Sequence, residues 1–488
     1  MLFNSLNFII FFPIVLFIYW CIPDRLRRIW LLAASWFFYA CFDIRCLFIL
    51  IGITIITYTG GRVLGRIKDH RKVITICLIS VCIGLLGIFK YLTFFTELLN
   101  EALHKFHMSL SLPVFSLIIP AGISFYSFKA VSYIVDVYRN EQAPEESFID
   151  YAVYISFFPQ IVAGPIDRAY SLLAQIKESR TFKESDLRTG ALLMLYGYFE
   201  KFLVADRISL IVDAIYDNHT AYSGAAIAMA TICYGIQIYA DFAGYSYLSI
   251  GAARILGFKV SDNFRQPYFA VGIRDFWKRW HISMSSWFKD YLYIPLGGSR
   301  KGKRRKTFSN MITFLLSGLW HGSSLNFIVW GGLHGIFHLM AELTGTRRKT
   351  ICEKYGIRND TFGRRLYKVI MTFLMVDYAW MFFRAKDLAT AVDMTRRILT
   401  DFRGYTLSRE FIFSLGFPEA YLNGMVLAAS VMIFVDILHE RKLSIIKWLD
   451  EQGIVFRWMC YMAATLTVFL GAVQNLGQSS NSFIYFRF

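Results

Sequence analysis

Apolar runs of bilayer-crossing length recur along this chain, and between them lie short stretches where lysine and arginine collect. Inside hydrocarbon no water can satisfy a backbone N–H or C=O, so such runs are stable as helices that bond within themselves. The pattern therefore dictates an all-α polytopic membrane protein, and 56% of the 488 residues are hydrophobic, as that requires. No composition shift, linker or fixed-period repeat marks a boundary, so residues 1–488 read as a single integral-membrane domain. The first 23 residues carry no charge yet lack the basic start and small-residue cleavage site of a secretory signal, and the first helix is expected to be retained.

A formal charge of +17 would point to nucleic acid in a soluble chain. Here the cations sit between apolar runs, at Arg25–Arg28, Arg62–Lys72, Arg347–Arg365 and His439–Lys442. That is the positive-inside pattern; membrane lipids are expected partners and nucleic acid is not. With both termini outside, the spans read as Phe8–Ile22, Trp30–Phe42, Leu47–Tyr58, Val73–Ile88, Val114–Val135, Gly190–Val212, Ala225–Ile255, Asn310–Phe327, Ile328–Leu343, Val369–Phe383, Leu422–Leu438 and Phe456–Val473. Tyr151–Ile166 is apolar, but Pro159 and Gly164-Pro165 break its helical bonds and predict a kink or re-entrant turn. The count is about twelve transmembrane or re-entrant helices. The cysteines lie mostly in apolar runs without CxxC or Cys/His metal spacing, and read as unpaired packing residues.

Asp262–Lys306 breaks this pattern. Ile273, Trp277, Trp280, Met284 and Trp287 recur at three to four residues while Arg274, Lys278 and Arg279 take other faces, which predicts one interfacial amphipathic helix over Arg274–Phe288. The cationic run Arg300–Lys306 follows as a cytoplasmic loop. It imitates a phosphate loop at Gly297 and Gly302-Lys303, but Arg304 stands where Ser or Thr is needed. Either anionic head groups or a polyphosphate donor would suit these cations, and both readings stay open.

The next apolar run holds His321. Fifteen residues of helix beyond Lys306 rise about 22 Å, short of the ~30 Å hydrocarbon thickness, which places the imidazole inside the membrane. Gly318 and Gly322 bracket it at GxxxG spacing, allowing close approach by another backbone or by a substrate. A satisfied core histidine is the bland reading; an intramembrane ionisable group more often marks function, here a neutral general base. Asp241 in its own span is either paired across helices or lines a wet cavity. His334, His338 and Glu342 share a helical face, but no further ligand lies in reach by spacing and no metal site is assigned.

The segments GISFYSFKAVSYIVDVYR (122–139), FFPQIVAGPI (157–166), IYADFAGYS (238–246), NFRQPYF (263–269), FWKRWHISMSSWFKDYLYIPLGG (276–298), LLSGLWHG (315–322) and the closing FIYFRF resemble the membrane-bound O-acyltransferases, most closely their alginate O-acetylation branch. The resemblance implies helices around a central tunnel, with His321 matching the family's essential histidine and His281 its second polar position. It implies acetyl transfer from a cytoplasmic thioester, acetyl-CoA, with no permanently bound cofactor. The acceptor side would be an exported polysaccharide or a periplasmic or extracellular transferase, in a bacterial inner membrane. Trp280, Trp320, Asp241 and Asn310 are the expected substrate-binding residues, and Arg300, Lys301 and Lys303 the expected donor-binding ones. Family members usually read GYSD where this chain has Tyr247, which leaves Asp241 as the acidic group. The alternatives are D-alanyl transfer to teichoic acid from a carrier protein, and a non-enzymatic polysaccharide or lipid transporter. Matched halves with paired broken helices, which a carrier needs, are not seen. A scaffold would leave His321 and its glycines unexplained, and the lack of GxSxG argues against a serine acyl-enzyme.

Overall fold

The computed structural model describes residues 1–108, 110–113, 117, 119–358, 361–404, 408–416, 418–474 and 483–484. Among them every regular element is helical. They pack as two compact units, Met1–Leu193 with Leu248–Asp262, and Met194–Tyr247 with Asn263–Phe488.

The first unit contains α1 (Leu6–Cys21), α2 (Asp24–Ala40), α3 (Ile44–Arg66), α4 (Arg71–Lys105), α5 (Ile123–Tyr138), α6 (Phe148–Ser156), α7 (Ala169–Lys177) and the start of α8 (Glu184–Phe199). Ser5 caps α1 by accepting from the Phe8 N–H. The basic stretch expected as a loop after the first span belongs instead to α2, because Pro23 is tolerated just ahead of a helix and only Ile22 and Pro23 separate the two helices. Arg28 of α2 pairs with buried Asp150 at 2.9 Å. Helix α4 runs for 35 residues, well past the predicted Ile88. The predicted span Val114–Val135 is helical only from Ile123; its residues 114–116 and 118 lie outside the described residues.

The segment with Pro159 and Gly164-Pro165 is a short helix followed by turns. Helix α6 stops at Ser156 after 9 residues, and the chain to Ile166 stays buried. Protein groups hold this irregular backbone, as they must where water is absent. The buried Lys129 ammonium donates to the Tyr154 carbonyl (3.2 Å) and to Gln160 Oε1 (2.7 Å), and Gln160 Nε2 donates to Asp167 Oδ2 (2.6 Å). Gly122 has φ 71° and lies where a Cβ would stand 2.0 Å from the Ile161 carbonyl oxygen, so both its backbone and its neighbours demand glycine.

The second unit holds the rest of α8, a turn widened to a π-helix (Glu200–Ala205), α9 (Asp206–Asp217), most of α10 (Gly224–Ile255), α11 (Ile273–Arg279), α12 (Ile282–Phe288), α13 (Gly302–His321) and α14 (Leu325–Lys354). Then follow α15 (Phe362–Arg384), α16 (Leu388–Thr400), α17 (Arg409–Ser414), α18 (Glu419–Glu440), α19 (Ile445–Asp450) and α20 (Ile454–Gln474). Among the described residues six helices, α3, α4, α10, α15, α18 and α20, are long and apolar enough to cross a membrane, and α1 is a shorter apolar helix. The protein is thus a helical multi-pass membrane protein. The predicted amphipathic helix over Arg274–Phe288 is two short helices broken at Trp280-His281, and the cationic run is only partly loop, since α13 already begins at Gly302.

Helices α13 and α14 form the tightest hairpin of this unit. A Cβ on Gly318 would meet the Phe327 carbonyl oxygen at 2.2 Å, and one on Gly331 the Phe314 carbonyl oxygen at 2.2 Å. Of the two approaches that the Gly318 spacing left open, the neighbouring backbone is the one present; at Gly322 the space is taken by the Phe327 ring. Gly318→Ala gains up to about 1 kcal/mol of helix propensity, but separating two backbones costs about 1–3 kcal/mol. A lower thermal midpoint in detergent is expected for this variant; an unchanged or higher midpoint would show that the hairpin spreads freely.

Candidate active site

The break in the interfacial stretch is built by pairing the chain with itself. Asn263–Arg265 lies alongside Arg279–Ile282: the Arg265 N–H donates to the Arg279 carbonyl and the Ile282 N–H to the Asn263 carbonyl, both at 2.9 Å. Between them His281 takes φ 42°, ψ 56°, a left-handed conformation uncommon for a side-chain-bearing residue. Such strain persists where the surroundings over-determine it. Here they do. His281 is fully buried, its ring meets Phe242 edge-on at 4.6 Å, and its Nδ1 lies 2.9 Å from Asn263 Oδ1.

Asn263 assigns the proton. Its Oδ1 also accepts from the Ser283 hydroxyl (2.9 Å) and more weakly from the Ser283 N–H (3.4 Å), while its Nδ2 donates to Ser246 Oγ (3.1 Å). A backbone N–H can only donate, so this amide presents oxygen to His281, which must donate Nδ1–H in return. The basic nitrogen is then Nε2. Burial pushes the imidazole pKa down to about 3, so the neutral tautomer is the one present near neutral pH.

His321 is the last residue of α13 and is 4% exposed. The chain turns at Gly322–Ser324 into α14, where Asn326 Nδ2 donates to the Phe382 and Ala385 carbonyls (3.1 and 2.7 Å) and ties the turn to the end of α15. This arrangement walls the imidazole with aromatic rings: Trp330 and Phe383, each edge-on at 5.0 Å, and Trp320 at 4.6 Å. The Trp320 ring also stands 6.5 Å from that of His281 and 6.3 Å from Phe288. The two histidines that the sequence singles out are therefore brought to one place, with Trp320 in contact with both.

Beside this cluster lies a cavity of about 230 Å³. Phe288, Trp277, Phe314 and Met284 make it apolar; Asn310, Thr313 and Ser317 line it with polar groups, and Arg274, Lys278 and Lys289 supply cations. Asn310, an expected substrate-binding residue, lines this cavity, whereas Arg300, Lys301 and Lys303 are exposed and do not.

A model of the membrane-bound O-acyltransferase family matches residues 139–383. Over 510 residues, covering 100% of both chains, the protein is 31% identical to the probable alginate O-acetylase AlgI of Pseudomonas putida. This protein is a membrane-bound O-acyltransferase. It is also 31% identical over 401 residues to the peptidoglycan O-acetyltransferase of Helicobacter pylori (76% of this chain, 73% of the relative), and 30% identical over 288 residues to the teichoic acid D-alanyltransferase of Bacillus subtilis (56% and 71%). The resemblance drawn from the motifs is thereby established, and with it an acyltransferase activity.

The remaining expected site residues of this acyltransferase have other surroundings. Trp280 is 1% exposed and packs against Trp380 (4.9 Å) and Phe264 (5.0 Å), within the aromatic core behind His281. Asp241 is paired: its Oδ1 lies 2.6 Å from Lys201 Nζ, which also meets Asp206 at 2.9 Å, and its Oδ2 accepts from the Ile484 N–H at 2.7 Å. Phe483, from the closing motif, then stacks near Tyr245 (4.3 Å) and Phe242 (5.8 Å), the ring that contacts His281. Tyr485–Phe488 of that motif lie outside the described residues. On α14, His334 Nδ1 accepts from the Trp277 indole (3.3 Å), and Glu342 pairs with Lys306 (2.9 Å) and Arg274 (3.2 Å), so the shared helical face is taken up by other contacts.

Asn263 and Lys201 were missed by sequence reasoning. Asn263 carries no signal beyond its place in NFRQPYF. Lys201 had one, since Glu200-Lys201 puts two charges into an apolar span that also had to satisfy the carboxylate of Asp241.

Proposed function

We propose that this acyltransferase moves acetyl groups from a cytoplasmic thioester, acetyl-CoA, across a bacterial inner membrane to an exported or cell-surface polysaccharide or to a periplasmic or extracellular transferase that receives them for the hydroxyls of that polysaccharide. The observation that carries the reading is the meeting of His281 and His321 at Trp320, beside a cavity lined by cations. Arg274, Lys278 and Lys289 suit donor phosphates, and the apolar walls suit an extended thioester arm. Arg300, Lys301 and Lys303 then extend the cationic surface toward the anionic leaflet. About twelve crossings or re-entrant helices would surround a tunnel in which acceptor and donor meet at His321.

In this mechanism His321 takes the proton of the acceptor hydroxyl as its oxygen attacks the thioester carbonyl carbon. Collapse of the tetrahedral adduct breaks the carbon–sulfur bond, and the imidazolium returns the proton to the departing thiolate, leaving an ester and a free thiol. His321 could equally carry the acetyl group in transit, with the same overall balance. His281, with its proton on Nδ1, holds a substrate N–H or O–H at Nε2 rather than polarising the carbonyl. D-alanyl transfer from a carrier protein is the second reading; full-length coverage by the alginate O-acetylase relative, against 56% of this chain by the D-alanyltransferase, favours acetylation.

Inverted membrane vesicles supplied with acetyl-labelled CoA should transfer label to acceptor polymer or partner, while D-alanyl carrier protein should not serve. The opposite preference would replace the acetyl reading. Asn263→Ala, which releases the His281 ring, is expected to lower this transfer by about 10- to 100-fold, as loss of an orienting contact typically does. Transfer at the wild-type rate, at equal abundance, would separate His281 from the chemistry.

A further inference from the structure

A second cavity of about 700 Å³ lies between the π turn, α9, α18 and α20, and shares no lining residue with the cluster above. Its walls are apolar, with Leu203, Leu427, Val431 and Leu470, and Leu427 and Leu470 are 66% and 52% exposed, as on a lipid-facing surface. One cation enters it. Arg207 is only 7% exposed, stacks over the Tyr421 ring at 5.1 Å and donates to Gln474 Oε1. Its Nε has no acceptor, and no carboxylate lies within ion-pair distance of it, among the described residues. Among the described residues of this unit the other buried cation, Lys201, has Asp206 and Asp241, and even the half-buried Arg384 has Asp213. An isolated buried charge is costly unless an anion meets it.

The geometry points to an anionic phospholipid, its phosphate on Arg207 and one acyl chain along Leu203, Leu427 and Leu470. Arg207 lies toward the start of α18, near Tyr421 and Gly424, whereas the cationic turn His439–Lys442 closes the other end of that helix. With that turn cytoplasmic, the lipid belongs to the outer leaflet. Ala420, Gly424 and Ala428 would also accept a partner helix, but an apolar helix brings no counter-charge for Arg207.

The test is native mass spectrometry and thermal unfolding of the full-length protein in neutral detergent, with phosphatidylglycerol, diacylglycerol of the same chains, or inorganic phosphate added. Wild type should retain phosphatidylglycerol over diacylglycerol by about tenfold, the value of one charge-assisted contact. Arg207→Gln should lose that preference, and Leu470→Trp, which fills the groove and leaves Arg207 in place, should lose both lipids. Equal retention of the two lipids by wild type, or a preference that survives Arg207→Gln, would overturn the proposal. A midpoint raised as far by inorganic phosphate would reduce the groove to an ion site, and a copurifying single-span polypeptide bound there in place of lipid would reassign it to a protein partner. If Arg207→Gln fails to accumulate, Leu470→Trp decides: undiminished phosphatidylglycerol retention rejects the groove.

Discussion

His321→Gln is expected to leave the protein inserted and abundant while acetyl transfer per inserted protein falls by ~100- to 10,000-fold, the usual worth of a positioned proton transfer. Glutamine keeps bulk and hydrogen-bonding capacity, so the rings of Trp320, Trp330 and Phe383 around the site should stay packed. A histidine that only fills its box forecasts the reverse. Gln would then transfer at close to the normal rate, and His321→Ala would lower abundance by leaving a buried partner unmatched at about 1–3 kcal/mol. Transfer is therefore measured per membrane-inserted protein for both substitutions. His338 lines the cavity beside this cluster and is a poor control; exposed His70→Gln serves. Near-normal transfer by His321→Gln at normal abundance would remove this residue from the mechanism.

The second large effect concerns Lys201. Its ammonium stands between Asp241 and Asp206 with 1% of the side chain exposed, and Lys201→Met strands two buried carboxylates. Removing one partner of a buried pair typically costs about 3–5 kcal/mol, comparable to much of the stability of a domain. The expected result is loss of folded protein from the membrane, measured by detergent-resistant abundance, with whatever remains transferring normally. Asp241→Asn should lower abundance in the same direction but less, because Lys201 keeps Asp206 and an amide oxygen can still accept from Ile484. The double variant should cost less than the sum, as expected for groups in one network. Normal abundance of Asp241→Asn with transfer reduced tenfold or more would instead restore the substrate-binding role that the sequence suggested for this carboxylate.

By itself the sequence determined that the protein is helical and spans the membrane many times, because a backbone in hydrocarbon has no other way to satisfy its polar groups. It also determined the family, and it singled out His321 and His281 because they lie in long motifs that stand out from an apolar background. Tertiary structure alone decided what those residues touch. The aromatic periodicity of Arg274–Phe288 is continuous in sequence, yet the helix breaks, because Asn263, distant in sequence, binds the Ile282 N–H through its carbonyl and the His281 ring through its side chain. The resemblance made Trp280 and Asp241 expected binding residues; in the structure Trp280 packs in the core around Trp380, and Asp241 pairs with Lys201 and accepts from Ile484. Periodicity reports which face of a helix is apolar, whereas partner choice across 18 residues, from Asn263 to His281, or across 243, from Asp241 to Ile484, depends on packing that no local pattern records.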